Sequence, residues 1–292
     1  MTTRYQFQEE LGRGAMGVVY RAFDPQLNRT VAIKVLKERP DPVSLARFLA
    51  EGEVAARVRH PNVLGVHDLV VPERGSPYLV TDYAPGGSLR DVLEAGRVLE
   101  ASQVAALLSG VCGGVAALHE RGVIHRDLKP DNLLFAGDGT PLVADLGLAR
   151  ALDRETRYTQ SGVLTGTPSY MAPEQLSGRA PSPATDVYAL GVILYEVLAG
   201  RLPFDAEGLL EQIRMLLEVV PPRPSSFRLV DPGLEAICLR CLKKDPSARY
   251  PDARALGAAL SAWEPGRRPG SGRLAAGVLA LVVGLSVAAG GV

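Results

Sequence analysis

The sequence has 292 residues, 47% of them hydrophobic and 22% charged, and its 32 Lys and Arg balance its 32 Asp and Glu. This length allows one large domain or two lobes, and the even charge excludes a polybasic nucleic-acid binder. Three cysteines, Cys112, Cys238 and Cys241, are too few for a disulfide framework and suit a reducing compartment.

Residues 1–6 contain no apolar signal-peptide core. From about residue 5 to 38 the chain reads as strands: 18–23 is β-branched and aromatic, 24–29 is a turn, and 30–36 is apolar again. Gly12-Arg13-Gly14-Ala15-Met16-Gly17 has the glycine spacing of a dinucleotide site. In such a site the glycines open a helix after a strand. Here a strand and a turn follow, so the glycines belong to a hairpin. Asp41 and Pro42 supply an N-cap and a first helical position for a helix to about Arg57. After His60-Pro61-Asn62, residues 64–71 and 78–83 are further strands, and Ala84-Pro85-Gly86-Gly87-Ser88 is a breaker-rich hinge.

Helical periodicity dominates from there, over 104–120, 186–199, 209–218, 234–243 and 252–263. Cys238 and Cys241 fall on two faces of the fourth of these helices, with no second pair to complete a zinc site. Residues 264–273, rich in Gly, Pro and Arg, form a short flexible linker. Residues 274–292 carry no charge and are almost wholly apolar. As a helix they cover roughly 28 Å, enough for a hydrocarbon core of about 30 Å. Arg267, Arg268 and Arg273 precede this span and no charge follows it, which places the preceding domain in the cytoplasm by the positive-inside rule. Ala276, Ala280, Gly284 and Ala288 recur every four residues, a stripe on which two such helices can pack. No extracellular domain follows in this sequence, whether the native protein ends there or the chain is a fragment.

Five motifs stand in order: the glycine hairpin, Val31-Ala32-Ile33-Lys34, His125-Arg126-Asp127-Leu128-Lys129-Pro130-Asp131-Asn132, Asp145-Leu146-Gly147 and Ala172-Pro173-Glu174. On these motifs the chain resembles the Ser/Thr protein kinases, and among them the eukaryotic-like, membrane-anchored kinases of bacteria. The resemblance implies an α+β fold of two lobes within 5–263, strand-rich over about 5–83 and helical over about 84–263, with the C-terminal transmembrane helix added. It also implies transfer of the ATP γ-phosphate to Ser or Thr hydroxyls of proteins, the chain's own activation loop included. Mg²⁺ is the expected metal, with Mn²⁺ as an alternative.

The residue roles follow from the same resemblance. Gly12, Gly14 and Gly17 let the backbone close over the phosphates, with Leu11, Val19, Ala32 and Leu134 around the adenine. Thr81 gates the pocket behind it, and Asp82 to Ala84 offer backbone hydrogen bonds to its edge. Lys34 contacts the α- and β-phosphates and is held by a helix carboxylate. Glu51 is favoured over Glu53, which lies roughly 200° away around the helix. Asp127 accepts or orients the substrate hydroxyl's proton, Lys129 steadies the γ-phosphate, and Asn132 and Asp145 hold the metal. Leu146 stands where Phe is common, and being apolar it should pack in the same place.

Thr167 is expected to meet Asp127 and Lys129, Glu174 to pair with Arg249, and Asp186 to brace the catalytic loop. Arg126 and Arg150 form a cationic fork that a phosphate would neutralise. Thr159 and Ser161 are the candidate phosphorylation sites, with Asp153 or Glu155 as the alternative anion. Expected partners are protein substrates, the membrane, and a second copy through the kinase domain or the transmembrane helix. Nucleic acid is not among them, and the cell membrane, by a single pass, is the expected location.

Overall fold

A computed structural model describes residues 4–14, 17–37, 45–46, 49, 52–54, 56–73, 75–145 and 168–266. Five antiparallel strands, β1 (Gln6–Arg13), β2 (Gly17–Asp24), β3 (Arg29–Leu36), β4 (Val66–Val70) and β5 (Tyr78–Asp82), form a sheet in the order β1-β2-β3-β5-β4. One face of the sheet buries Tyr5, Ala22, Val31, Ile33 and Val80 together. Val31 and Ile33 alternate along β3, which is the period expected of a half-buried strand. The β2–β3 turn is held by Asp24, a fully buried carboxylate that accepts from Arg4 and from the Gln26 backbone. Burial opposes that charge, and the hydrogen bonds, led by Arg4, outweigh it and lower the Asp24 pKa. Leu45, Ala46, Leu49, Gly52, Glu53, Val54 and Ala56 are helical, in line with a helix over 41–57.

The second lobe is helical: α1 (Leu89–Glu94), α2 (Ala101–His119), α3 (Pro183–Ala199), α4 (Leu209–Glu218), α5 (Pro232–Cys241) and α6 (Ala253–Ser261). The expected helices are present, α4 over the expected residues and the others with shifted ends, and α1 is an addition. Its start is written in Ser88 and Asp91, which form a reciprocal capping box. α2 begins three residues before its apolar period, where the Gln103 side chain reaches back to accept from the Glu100 N–H at 2.9 Å. Pro183 opens α3 and Gly200, at φ 70°, closes it.

α3 is the pillar of this lobe, with nearly every residue from Ala184 to Ala199 buried. α5 crosses it at Gly191, where a Cβ would stand 2.4 Å from the Cys241 Cβ. Cys112, Cys238 and Cys241 are free and buried, and desolvation pushes their thiols up, that of Cys241 to about 12. Among the described residues one helix, α2, is long and apolar enough to cross a membrane, and it is a core helix of this lobe.

Two features join the lobes beneath the sheet. A short ribbon, β6 (Leu133–Phe135) with β7 (Pro141–Val143), follows the catalytic-loop motif. Residues 60–64 dock onto it through Leu64 N–H to Val143 O (2.9 Å), Val143 N–H to Asn62 O (2.9 Å) and the Asn62 amide to Pro141 O (2.9 Å). The loop reaches α2 because Gly114 has no side chain. A Cβ there would be 2.3 Å from Asn62 O.

Candidate active site

Of the candidate catalytic, nucleotide and metal residues singled out above, those that the structure describes lie on the β1–β2 hairpin, β3, the catalytic-loop motif, and on or just after β5 and the β6–β7 ribbon. In the hairpin, β1 and β2 pair Gly12 with Val19, and Gly14 N–H bonds Gly17 O at 2.9 Å. The three glycines are not equivalent. A Cβ at Gly12 or Gly14 would meet nothing within 4 Å, whereas one at Gly17 would stand 2.3 Å from Val35 O on β3. Gly12 and Gly14 leave the hairpin open to a ligand, while Gly17 lets β2 approach β3. Gly17→Ala should therefore lower stability by about 1–3 kcal/mol, and Gly12→Ala or Gly14→Ala by less than about 0.5 kcal/mol. Thermal unfolding of the three variants separates these roles.

β3 carries Ala32 opposite Thr81 and Lys34 opposite Leu79, so both lie on one face of the sheet at fixed register. Thr81 donates to Asp82 O at 3.1 Å. The Asp82 carboxylate is held by Gly65 N–H at 3.1 Å and by His67 Nε2 at 2.7 Å. Ala84 follows β5 in the connection to α1, and Leu134 on β6 bridges to Ser88 beneath it. Leu11 is exposed.

Lys34 Nζ lies 2.6 Å from Asp145 Oδ1. A lysine in a Val and Ile run needs such a partner, and here it is the motif aspartate. Glu51, expected in that role, lies outside the described residues, and Glu53 is exposed. Leu146, Arg150, Asp153, Glu155, Thr159, Ser161, Thr167 and residues 274–292 also lie outside them.

The catalytic loop has little regular structure and is fixed by hydrogen bonds. Buried Asp186, at the start of α3, accepts from His125 N–H (2.8 Å), Arg126 N–H (2.8 Å) and His119 Nε2 (2.9 Å). His125, fully buried, bonds Ala144 O through Nε2 at 2.8 Å and so ties the loop to the residue before Asp145. Arg126 (φ 66°) and Asp145 (φ 55°) both hold left-handed backbone, which costs a non-glycine residue about 1–3 kcal/mol. The Asp186 and Ala144 bonds hold that geometry in place.

Asn132 donates to Asp127 O (2.7 Å) and Oδ2 (3.2 Å), and Lys129 Nζ is 3.8 Å from the same carboxylate. With its amide nitrogen used this way, Asn132 keeps its amide oxygen for a cation. Asp145 adds a carboxylate oxygen. Hard oxygen donors few in number fit Mg²⁺, which keeps waters and takes further ligands from phosphates. No cluster of three His, Cys, Asp or Glu side chains able to hold a metal occurs among the described residues; Asn132 and Asp145 could offer two oxygens to a cation that takes its other ligands from phosphates and water.

Residues 5–258 match the protein kinase domain. The chain belongs to the protein kinase family. The kinase domain is 39% identical over 264 residues to serine/threonine-protein kinase Pkn1 of Myxococcus xanthus, covering 88% of this chain and 38% of that protein. It is 36% identical over 265 residues to serine/threonine-protein kinase PknL of Mycobacterium tuberculosis, covering 90% of this chain and 66% of the relative. Against serine/threonine-protein kinase PknA of the same species it is 35% identical over 276 residues, covering 92% and 63%. The chain thus spans between 38% and 66% of the length of these three relatives.

Sequence spacing does not single out His119, His67, Arg90, Tyr170 or Glu196. Their partners are far along the chain, as with His119 and Asp186, 67 residues apart. The Ser88 and Asp91 capping pattern, unremarked in the hinge, could have located the helix that carries Arg90.

Proposed function

We propose that the protein is a Ser/Thr protein kinase that transfers the γ-phosphate of ATP to protein hydroxyls, its own activation loop included. The observation that supports this reading is the pairing of Lys34 with Asp145, next to a loop in which Lys129 and Asn132 face Asp127 and Asn132 O accepts from Ala144 N–H, one residue before Asp145. Asp127, oriented by Asn132, takes or directs the proton of the attacking hydroxyl. Lys129 and Lys34 supply positive charge where the transferring phosphoryl group gathers negative charge. A bound Mg²⁺ would neutralise phosphate charge from Asn132 and Asp145. Leu11, Val19, Ala32 and Leu134 enclose the adenine, Thr81 gates the space behind it, and the Asp82 to Ala84 backbone meets its edge. Glu51 is proposed as the carboxylate that takes Lys34 when Asp145 turns to the metal.

Kinase domain 5–263, linker 264–273 and a single membrane span 274–292 complete the reading, with the kinase on the cytoplasmic side of the cell membrane. The support is Arg267, Arg268 and Arg273 before an uncharged apolar stretch. Pairing of two copies would use the kinase domain or the stripe at Ala276, Ala280, Gly284 and Ala288.

Thr159 and Ser161 are proposed as the autophosphorylation sites that order the activation loop against Arg126 and Arg150. Incubating the full chain with labelled ATP and Mg²⁺ and mapping the modified residues tests this. Label on those two positions, with activity toward a peptide falling about tenfold or more in the double Ala variant, is the expected result. Unchanged activity in that variant overturns the switch.

A further inference from the structure

A compact charged cluster outside the phosphate-handling residues lies against the catalytic loop. Its hub is Arg90, in the first turn of α1. Arg90 Nη1 donates to Glu196 Oε1 at 2.9 Å, Nη2 to the Tyr170 hydroxyl at 2.6 Å, and Nε lies 3.7 Å from Asp131 Oδ2. The Tyr170 hydroxyl in turn donates to Glu196 Oε2 at 2.5 Å. Glu196 comes from the buried pillar α3, Tyr170 from the turn that follows the activation segment, and Asp131 from the catalytic loop, four residues after Asp127.

The chemistry of the cluster is lopsided without Arg90. Glu196 is largely buried, with 11% of its side chain exposed, and Tyr170 satisfies one of its oxygens only. A buried carboxylate needs a cation or several donors. Desolvation opposes the charge on Arg90, but its bonds to Glu196 and Tyr170 outweigh that and raise its pKa, so it stays a cation. Arg90 itself keeps 26% of its side chain exposed and Asp131 keeps 50%, so the cluster reaches the surface beside the loop that carries Asp127.

We infer that Arg90 is a specificity-determining residue. It fills an acidic pocket formed by Glu196 and Asp131 beside the catalytic loop, so a basic side chain flanking the phosphoacceptor finds no unpaired carboxylate there. The pocket is built for a guanidinium, and the chain supplies its own. This kinase then gains nothing from Arg or Lys at the flanking position that passes α1, and removing Arg90 converts the enzyme to one that favours them. The inference rests on the reading of the chain as a kinase acting on polypeptides.

The test uses the full chain and a set of Ser/Thr peptides with Arg, Ala or Glu at each position flanking the acceptor. Both kcat/KM and peptide binding by fluorescence anisotropy are measured. The wild-type chain should treat Arg and Ala peptides alike, within about threefold. Arg90→Met keeps the aliphatic packing and should raise the Arg-to-Ala ratio at one flanking position by about tenfold, the worth of one charge-assisted hydrogen bond. Adding Glu196→Gln to that variant should return the ratio to the wild-type value. Should Arg90→Met unfold, Glu196→Gln alone frees the guanidinium and should raise the Glu-to-Ala ratio instead. A wild-type chain that already prefers Arg peptides tenfold overturns the inference. So does a folded Arg90→Met, or a folded Glu196→Gln where it stands in, with unchanged ratios. Because binding is read without turnover, a wild-type chain that binds these peptides and transfers no phosphate counts against the kinase reading alone.

Discussion

Asp127→Asn should lower phosphoryl transfer by about 10²–10⁴-fold, the usual worth of a positioned general base, while nucleotide still binds. Asn is nearly isosteric with Asp. The strongest bond that Asn132 makes to this residue goes to its backbone oxygen, at 2.7 Å, and the substitution does not touch it. The Asp186 bonds that shape the loop are also backbone-based. What is lost is the carboxylate proposed to take the proton, which Lys129 and Asn132 face. Labelled ATP with a peptide substrate reads the rate, and calorimetric titration of ADP with Mg²⁺ reads binding. Equal transfer by D127N and wild type would remove Asp127 from the chemistry. A wild-type chain that binds nucleotide and transfers nothing would instead describe a signalling scaffold.

Glu174→Ala should destabilise the fold by about 3–5 kcal/mol, the cost of leaving one partner of a buried ion pair alone. Arg249 is the counter-ion, with 0% of its side chain exposed against 4% for Glu174, and two parallel bonds of 2.8 Å join them. The guanidinium also donates to Lys243 O, Lys244 O and Ala184 O and lies over the Tyr188 ring. Thr185 donates its hydroxyl to Glu174 as well. Without Glu174 the carbonyls remain, but they carry no net charge to offset the buried cation. Glu174→Ala with Arg249→Met removes both charges and should recover much of the loss. Urea unfolding of the single and double variants checks the order. Equal stability of Glu174→Ala and wild type would show that the carbonyls alone hold Arg249.

Much of this site was legible in the sequence because its parts are local. Asp127, Lys129 and Asn132 lie within one short motif on which the resemblance to kinases rests, and the VAIK lysine lies in a strand whose alternation fixes its face. The Glu174–Arg249 pair and the bracing role of Asp186 were also anticipated, through resemblance to other kinases. Contacts across long stretches of chain were less accessible. No local pattern shows that Lys34 meets Asp145, 111 residues on, or that Arg90 reaches Glu196, 106 residues on. The different duty of Gly17 depends on how closely β3 approaches, which spacing does not encode. Helix ends moved by two or three residues where a capping side chain, as Gln103 on the Glu100 N–H, extends a helix beyond its apolar period.

The attachment of the catalytic loop to Asp186 also bears on how the molecule breathes. Loops ordinarily exchange their amide protons quickly, because little must open to expose them. The amides of His125 and Arg126 end on a carboxylate rooted in the most deeply buried helix of the lobe. They can be released to water only when the foot of that helix gives way. A segment without regular secondary structure should therefore share the slow opening of the core, with the amides of His125 and Arg126 protected in hydrogen exchange as strongly as the first turn of α3.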